Sequence, residues 1–190
     1  MIELKERGIL IFSKISSENN LYLKFLTQKD EIITGLSFGG STKKKKNIFQ
    51  IGYFLNIVIK NKNKNFPNSI SAELSKPYYH NIFNDKYKLH ALLTLVSLLN
   101  ISIIDGQKVS GLFNLSENII EILANEKKWI INYFIFLLNL LKIIGYDIDY
   151  QKNTSKDYLN LDSLQFSNSS ITKSIKFPHL LLNNKININV

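Results

Sequence analysis

The chain contains no cysteine among its 190 residues. It therefore has no thiol for a disulfide, a covalent nucleophile or a cysteine-ligated zinc site. A phosphate-binding loop is also missing, because GGSTKKKK at 39–46 lacks the Walker spacing and no helix is predicted after it. These absences predict a protein that is not an enzyme and that uses no metal or other cofactor.

Histidines and paired acids are equally sparse. His80, His90 and His179 lie far apart, and none has a ligand partner at helical spacing. His90 falls within an apolar helical segment, which predicts a core or boundary residue. Asp147 and Asp149 alternate, and such a pair either binds a divalent ion or, more commonly, forms the solvated face of a strand.

No targeting or membrane-spanning segment is predicted. The N-terminus MIELKERGILIF mixes charges with a short apolar run and has no small-residue cleavage site. The apolar stretch at 129–146 has only the minimum length for a span, about 18 residues. Asn132 and Asn139 lie on one helical face near Lys142, which favours a core helix that touches solvent. We therefore expect a cytoplasmic protein without a membrane contact.

What the chain does have is positive charge. It carries 24 basic and 15 acidic residues, for a net charge of +9 and an isoelectric point near 9.5. This excess favours an anionic partner, either nucleic acid or an acidic membrane surface. Arg7 is the only arginine, and isoleucine, asparagine and lysine are abundant. AT-rich codon usage is thus an alternative source of part of the charge.

The first 75 residues have the pattern of short β-strands. LYLKFL at 21–26 alternates buried-type side chains with Tyr22 and Lys24, which are predicted to face solvent. FLNIVIK at 54–60 alternates in the same way. Polar turns separate these segments, so we predict four or five strands in a small, closed or nearly closed antiparallel sheet.

After Pro77 the hydrophobic period becomes helical. Helices are predicted over 88–100 and 116–146, the second starting at Ser116 as its cap. Gly145 is predicted to end that helix in a left-handed conformation.

Beyond residue 150 the sequence is polar, and only FPHLLL at 177–182 is predicted to be buried. The chain is thus predicted to be α+β, with a β-barrel at 1–76, an α-helical domain at 77–150 and a partly irregular tail at 151–190. The tail is expected to pack on the helical domain.

The strongest functional signal is the run of four lysines on a predicted loop at 43–46. Adjacent like charges repel, so the run either solvates a loop and blocks edge pairing or contacts a polyanion. Lys43, Lys44, Lys45 and Lys46 would neutralise about four phosphates, with a log–log salt slope of about −2.8 on single strands. The basic path, with an aromatic side chain for base stacking, is predicted to continue through Tyr22, Lys24, Lys60 and Lys62.

Three ordered stretches resemble the RecO family of recombination mediators, over about residues 2–150. The first contains Gly8 and the Ser17–Glu18 pair. The second and third are Gly39–Gly40 with the four lysines and Phe49–Gly52, and Ile144–Tyr146 followed by Asp147–Asp149.

The resemblance implies an OB-fold barrel followed by an α-helical domain. It also implies binding of single- and double-stranded DNA, annealing of complementary strands, and help in loading the RecA recombinase onto strands coated by single-stranded-DNA-binding protein. The implied partners are RecR, in some members RecF, and the acidic C-terminal tail of the coating protein. The implied location is the cytoplasm, at the nucleoid.

The chain departs from the family pattern at several positions. Without cysteine it cannot build the zinc knuckle of many members, and its segment after residue 150 is shorter than usual. Phe38 replaces a basic residue, and Ile51 replaces a proline. Ile135 and Leu137 replace residues that are often Arg and Glu. Charge for docking the acidic tail is then expected from Lys127, Lys128 and Lys142.

Two other functions fit the composition. A general RNA- or ribosome-associated OB protein would bind structured RNA at least as well as DNA. A peripheral membrane or protein-interaction module would instead work through its apolar helices.

Overall fold

The computed structural model describes residues 2–17, 19–61, 66–75, 79–146, 148–150 and 152–179. The chain forms two compact units, Met1–Lys127 and Lys128–Val190. The boundary predicted after residue 76 falls outside the described residues, and the three-part division of the chain stays a prediction.

The first unit begins with a closed five-stranded barrel in the order β1–β2–β3–β5–β4. Its strands are β1 (Ile2–Ser17), β2 (Asn20–Thr27), β3 (Ile32–Ser37), β4 (Phe54–Asn61) and β5 (Ser69–Leu74). The long β1 pairs antiparallel with both β2 and β4, and β3 meets β5 in parallel. A helical turn, α1 (Lys43–Lys46), lies between β3 and β4. This is the predicted α+β architecture, an OB barrel followed by helices.

The barrel core confirms the predicted alternation. On β2 and β4 the residues predicted to face inward are buried, because successive side chains of a strand point to opposite faces. The core cluster comprises Leu10, Leu21, Leu23, Phe25, Phe49, Leu55, Ile57, Ile59 and Ile70.

Three helices follow the barrel in the first unit: α2 (Tyr79–Phe83), α3 (Lys86–Ser102) and α4 (Leu112–Asn125). Helix α3 confirms the helix predicted at 88–100, and the Asp85 carboxylate caps it by accepting from the N–H groups of Tyr87 and Lys88. His90 is exposed, contrary to the prediction, because α3 buries the face that carries Leu92 and Leu95.

Gly52 allows the turn before β4 to lie against α3. Its φ is 85°, and an added Cβ would lie 2.9 Å from a methyl carbon of Leu92. Its N–H donates to the carbonyl of Leu10 at 2.8 Å. A side chain here would thus meet both a strained backbone and a steric clash.

The helix predicted at 116–146 is divided in two. Ser116 is buried inside α4 rather than capping it, and the backbone is extended at Glu126. Helix α4 starts earlier because Asp30, in the β2–β3 turn, accepts from the N–H groups of Gly111 at 2.7 Å and Phe113 at 2.8 Å. A carboxylate at a helix N-terminus is favourable, and this one comes from 81 residues away in the chain.

Arg7 on β1 joins the barrel to α4. Its guanidinium forms an ion pair with Glu117, and the two side chains are only 18% and 16% exposed. The same group lies 5.7 Å from the ring centroid of Phe54 and 5.3 Å from that of Phe113. Low exposure strengthens both the ion pair and the cation–π contacts. Both kinds of contact therefore attach α4 to the barrel.

The second unit contains α5 (Ile130–Ile143) and a sheet in the order β7–β6–β8, formed by β6 (Tyr158–Asn160), β7 (Phe166–Ser167) and β8 (Ser174–Lys176). Gly145 follows α5 with φ 102°, and its N–H donates to Lys142 while that of Tyr146 donates to Leu141. This hydrogen-bond pair confirms the predicted left-handed helix end.

The tail contributes more apolar side chains than predicted. Leu159 and Phe166 are buried with Phe177 and with Leu138 of α5, although only 177–182 was expected to be buried. His179 is also buried, and its Nε2 donates to the carbonyl of Lys156 at 2.8 Å. The prediction failed because very short strands each supply a single apolar side chain, which leaves no periodic signal.

Within the described residues, no helix is both long enough and apolar enough to cross a bilayer. Helix α5, which contains most of the apolar stretch at 129–146, has 14 residues.

Replacing Glu117 with alanine should lower the free energy of unfolding by about 2–3 kcal/mol, because it removes the carboxylate that pairs with the largely buried guanidinium of Arg7. Urea denaturation monitored by circular dichroism measures this change. The charge-free double variant Arg7→Met/Glu117→Leu is the control and should cost less than Glu117→Ala. A larger loss in the double variant would contradict the importance of charge pairing.

Candidate nucleic-acid interface

The four lysines form a single helical turn, α1, rather than the predicted loop, and this segment is called the lysine turn below. The carbonyl of Thr42 starts it by accepting from Lys45 at 3.0 Å and Lys46 at 2.8 Å. The Thr42 hydroxyl in turn donates to the carbonyl of Gly39 at 2.8 Å. All four lysines are exposed, so the turn presents its charges to solvent without burying any side chain.

The charges of the lysine turn are not neutralised internally. Among the described residues, no carboxylate lies within ion-pair distance of any of its four ammonium groups. The Nζ of Lys45 instead donates to the carbonyl of Phe38 at 3.3 Å. The turn can therefore attract an external polyanion.

The β1–β2 turn positions the segment that leads into the lysine turn. The side-chain oxygen of Asn20 accepts from the N–H of Gly39 at 3.1 Å, and the carbonyl of Asn19 accepts from Ser41 at 3.2 Å. The end of the β1–β2 hairpin and the lysine turn are thus neighbours at one end of the barrel.

Phe38 is the most exposed aromatic residue beside the lysines. It is 59% exposed, and it lies two residues beyond Leu36, the cross-strand partner of Tyr22. Tyr22 is only partly exposed and packs edge-on against Phe12, with ring centroids 6.3 Å apart. In the sequence, Phe38 stands out only as a departure from a family pattern. Its position directly before two glycines and the lysine run was the feature that could have identified it as a candidate site residue.

Lys24 was predicted to face solvent, but its side chain is largely buried. Its side chain is 12% exposed, and its Nζ pairs with Asp105 at 2.9 Å. The same Nζ lies 3.4 Å from the carbonyls of Asn100 and Ile103, at the C-terminus of α3. A cation at the C-terminus of a helix is stabilising. Lys24 was predicted to contact DNA, but in the structure it stabilises the end of α3.

The chain after α3 covers part of the outer β2–β3 face. Ile103 is buried, and Val109 donates its N–H to the carbonyl of Asp30 at 2.9 Å. Lys108 forms an isolated antiparallel bridge with Glu31. Oligonucleotides commonly bind this face in OB folds, and here the chain itself occupies part of it.

The other predicted contacts are dispersed. Lys60 on β4 pairs with Glu3 at 3.3 Å, and Lys62 lies outside the described residues. Lys127 is exposed in the first unit, and Lys128 and Lys142 are exposed in the second. Their roles in binding stay predictions.

The acidic pair predicted at 147 and 149 is only partly visible, because Asp147 lies outside the described residues. Asp149 pairs with Lys152 at 3.0 Å. The hydrogen bond from Lys152 is the main cause that lowers the pKa of Asp149. In the described part of the chain, no group of three or more acidic or histidine side chains is arranged to hold a metal ion.

Comparison with known proteins shows sequence similarity to DNA repair proteins. The family model described as "Recombination protein O C terminal" matches residues 84–157. A protein named DNA repair protein RecO from Rickettsia canadensis (strain McKiel) is 26% identical over 151 residues, which cover 80% of this chain and 62% of that protein. The relative of the same name from Rickettsia bellii (strain OSU 85-389) is 26% identical over 160 residues, covering 82% of this chain and 66% of the relative.

A longer match occurs with DNA repair protein RecO of Rickettsia akari (strain Hartford), at 25% identity over 187 residues, covering 95% of this chain and 78% of the relative. By contrast, the chain spans less than two thirds of the Rickettsia canadensis and Rickettsia bellii proteins.

A closed barrel in OB order, followed by helices and carrying an exposed cationic turn, defines a basic OB-fold protein with a helical extension. Within that class, the chain is similar in sequence to proteins of the RecO family, as its sequence resemblance indicated.

Replacing all four residues of the lysine turn with alanine should weaken binding of single-stranded DNA at least tenfold at low salt. This loss equals about 1.4 kcal/mol, and the log–log salt slope should become less steep by up to about 2.8. Fluorescence anisotropy of a labelled oligonucleotide over a salt series measures both quantities.

A matched control removes the same charge elsewhere in the first unit and should retain most of the affinity. It replaces four other exposed lysines with alanine: Lys5, Lys86, Lys108 and Lys127. Equal losses in the two variants would mean that net charge alone governs binding and would contradict a site at the lysine turn.

Proposed function

We propose that this protein is a non-enzymatic recombination mediator that binds DNA strands and anneals complementary ones in DNA repair. The observation that carries the proposal is the lysine turn, a set of exposed cations on an OB barrel without carboxylate partners among the described residues. The relatives named DNA repair protein RecO support the assignment to repair.

Binding in this proposal is electrostatic with added stacking. Ammonium groups of the lysine turn neutralise backbone phosphates and release counterions, a contribution that does not depend on base sequence. Phe38 offers a ring on which a base stacks beside the neutralised phosphate. Because lysine is a point charge without the bidentate geometry of arginine, little sequence preference is expected.

Annealing follows from the same charge. Two complementary strands repel each other through their phosphates, and a cationic surface that holds one strand lowers this repulsion for the second. The chain has no Walker-type loop, so annealing is expected to proceed without ATP.

In the cell, this activity would help load RecA onto strands coated by single-stranded-DNA-binding protein, in the cytoplasm at the nucleoid. The proposed partners are RecR, with RecF in some pathways, and the acidic tail of the coating protein. Exposed Lys127, Lys128 and Lys142 are the proposed source of charge for that tail. These partners follow from the family resemblance.

The purified chain should accelerate annealing of two complementary oligonucleotides at low salt without any nucleotide. Loss of fluorescence from a dye and quencher pair on the two strands measures the rate. The variant with four alanines in the lysine turn should anneal several times more slowly, because it neutralises fewer phosphates. Tighter binding of structured RNA than of DNA, or a requirement for ATP, would count against this function.

Replacing Phe38 with alanine should weaken single-strand binding about five- to tenfold, because it removes one stacking ring. Phe38→Trp should preserve or improve the affinity, and the salt slope should stay unchanged in both variants. Phe66, which is similarly exposed, provides the control variant Phe66→Ala. Equal effects at the two positions would show that the ring at 38 has no special role.

A further inference from the structure

A largely apolar groove of about 430 Å³ opens beside the lysine turn. Its volume is in the range of small-molecule binding sites, about 300–1,000 Å³. Two β-strands, the segment after the lysine turn and two helices of the first unit form it. The apolar lining residues are Ile15, Leu21, Phe49, Ile51, Phe83 and Leu93.

Several apolar side chains in the walls of the groove are exposed to solvent. Ile15 is 66% exposed, and Phe83 and Leu93 are also exposed. The other side of the groove is firm, since Leu21 and Phe49 belong to the barrel core. Exposed apolar side chains grouped around a firm concave surface are typical of a binding site.

The polar rim of the groove specifies the chemistry of its occupant. Lys46 supplies a cation, and Ser13, Ser41 and Gln50 supply hydroxyl and amide groups. The Gln50 amide donates to the carbonyl of Lys46 at 3.0 Å, and among the described residues none that lines the groove is acidic. The groove therefore suits a ligand with flat apolar parts, polar edges and negative charge.

The bases of a bound strand have limited access to the usual OB surface. Lys24 and the segment around Ile103 and Asp105 occupy part of the outer β2–β3 face. The groove, in contrast, adjoins the lysine turn through Lys46 itself. A strand whose phosphates contact the turn thus has an apolar recess within reach for its bases.

We infer that this groove receives unstacked bases of a single strand whose phosphates bind the lysine turn, an inference that rests on the proposed function. Duplex bases are paired and stacked inside the helix, so they cannot enter. The groove then adds affinity for single strands only, whereas the lysine turn serves single and double strands alike.

The test compares an oligodeoxythymidylate with an abasic strand of the same length and charge. The full chain should bind the intact strand about five- to tenfold more tightly than the abasic strand. The uncharged double variant Ile15→Thr/Leu93→Gln should bind the two strands almost equally, with an unchanged salt slope. The matched control Ile101→Thr/Ile104→Gln, at two exposed isoleucines outside the groove, should keep the preference.

Each outcome decides between the two proposals. Failure of the unmodified chain to bind either strand at low salt would overturn the proposed function and, with it, the groove. Binding without a base preference, or a preference that survives in the groove variant, would overturn the groove alone. A groove variant that keeps the base preference but loses binding of an acidic, apolar peptide would assign the groove to a protein partner instead.

A second measurement needs no variant. Strands that contain 4-thiothymidine are irradiated on the unmodified protein, and the cross-linked peptides are identified by mass spectrometry. Cross-links at Ser13, Ile15, Leu21 or residues 49–51 are expected, because these residues line the groove. Cross-links confined to the β2–β3 face around Lys24 would overturn the inference.

Discussion

The contact between Arg7 and α4 is the interaction on which the arrangement of the first unit depends. The only arginine of the chain lies against the rings of both Phe54 and Phe113 and pairs with Glu117, so it attaches α4 to two strands of the barrel. Asp30 holds the start of the same helix. The segment between α3 and α4 then lies over part of the outer β2–β3 face, whereas the lysine turn is exposed.

The basic residues accordingly divide into two groups with different roles. Arg7, Lys24 and Lys88 are largely buried and serve the fold: Lys24 caps α3, and Lys88 donates to the carbonyl of Glu126 at the end of α4 at 2.9 Å. The lysines of the turn are exposed and have no carboxylate partner among the described residues. A net charge of +9 is therefore a poor guide to a binding surface, since the environment of each cation decides its role.

Much of the candidate site could be predicted, because its strongest element is local. Four consecutive lysines between two strands are visible in any linear inspection, and the helical turn they form changes little about their exposure. Phe38 and the groove were harder to find. Phe38 depends on where β3 ends, and the groove combines Ile15 with Phe83 and Leu93, which belong to distant segments. Lys24 was mispredicted because a strand pattern identifies a face but not what covers it.

By itself, the sequence determined the periodic and local features: the alternating strands of the barrel, helix α3, the left-handed glycine at 145 and the exposed lysines. These depend on residues a few positions apart, and short-range backbone geometry governs them. Only the tertiary structure decided where α4 begins, that Ser116 is buried, and that Lys24 is paired. The start of α4 depends on Asp30 and the pairing of Lys24 on Asp105, which are both far away in the chain, and folding alone brings such groups together.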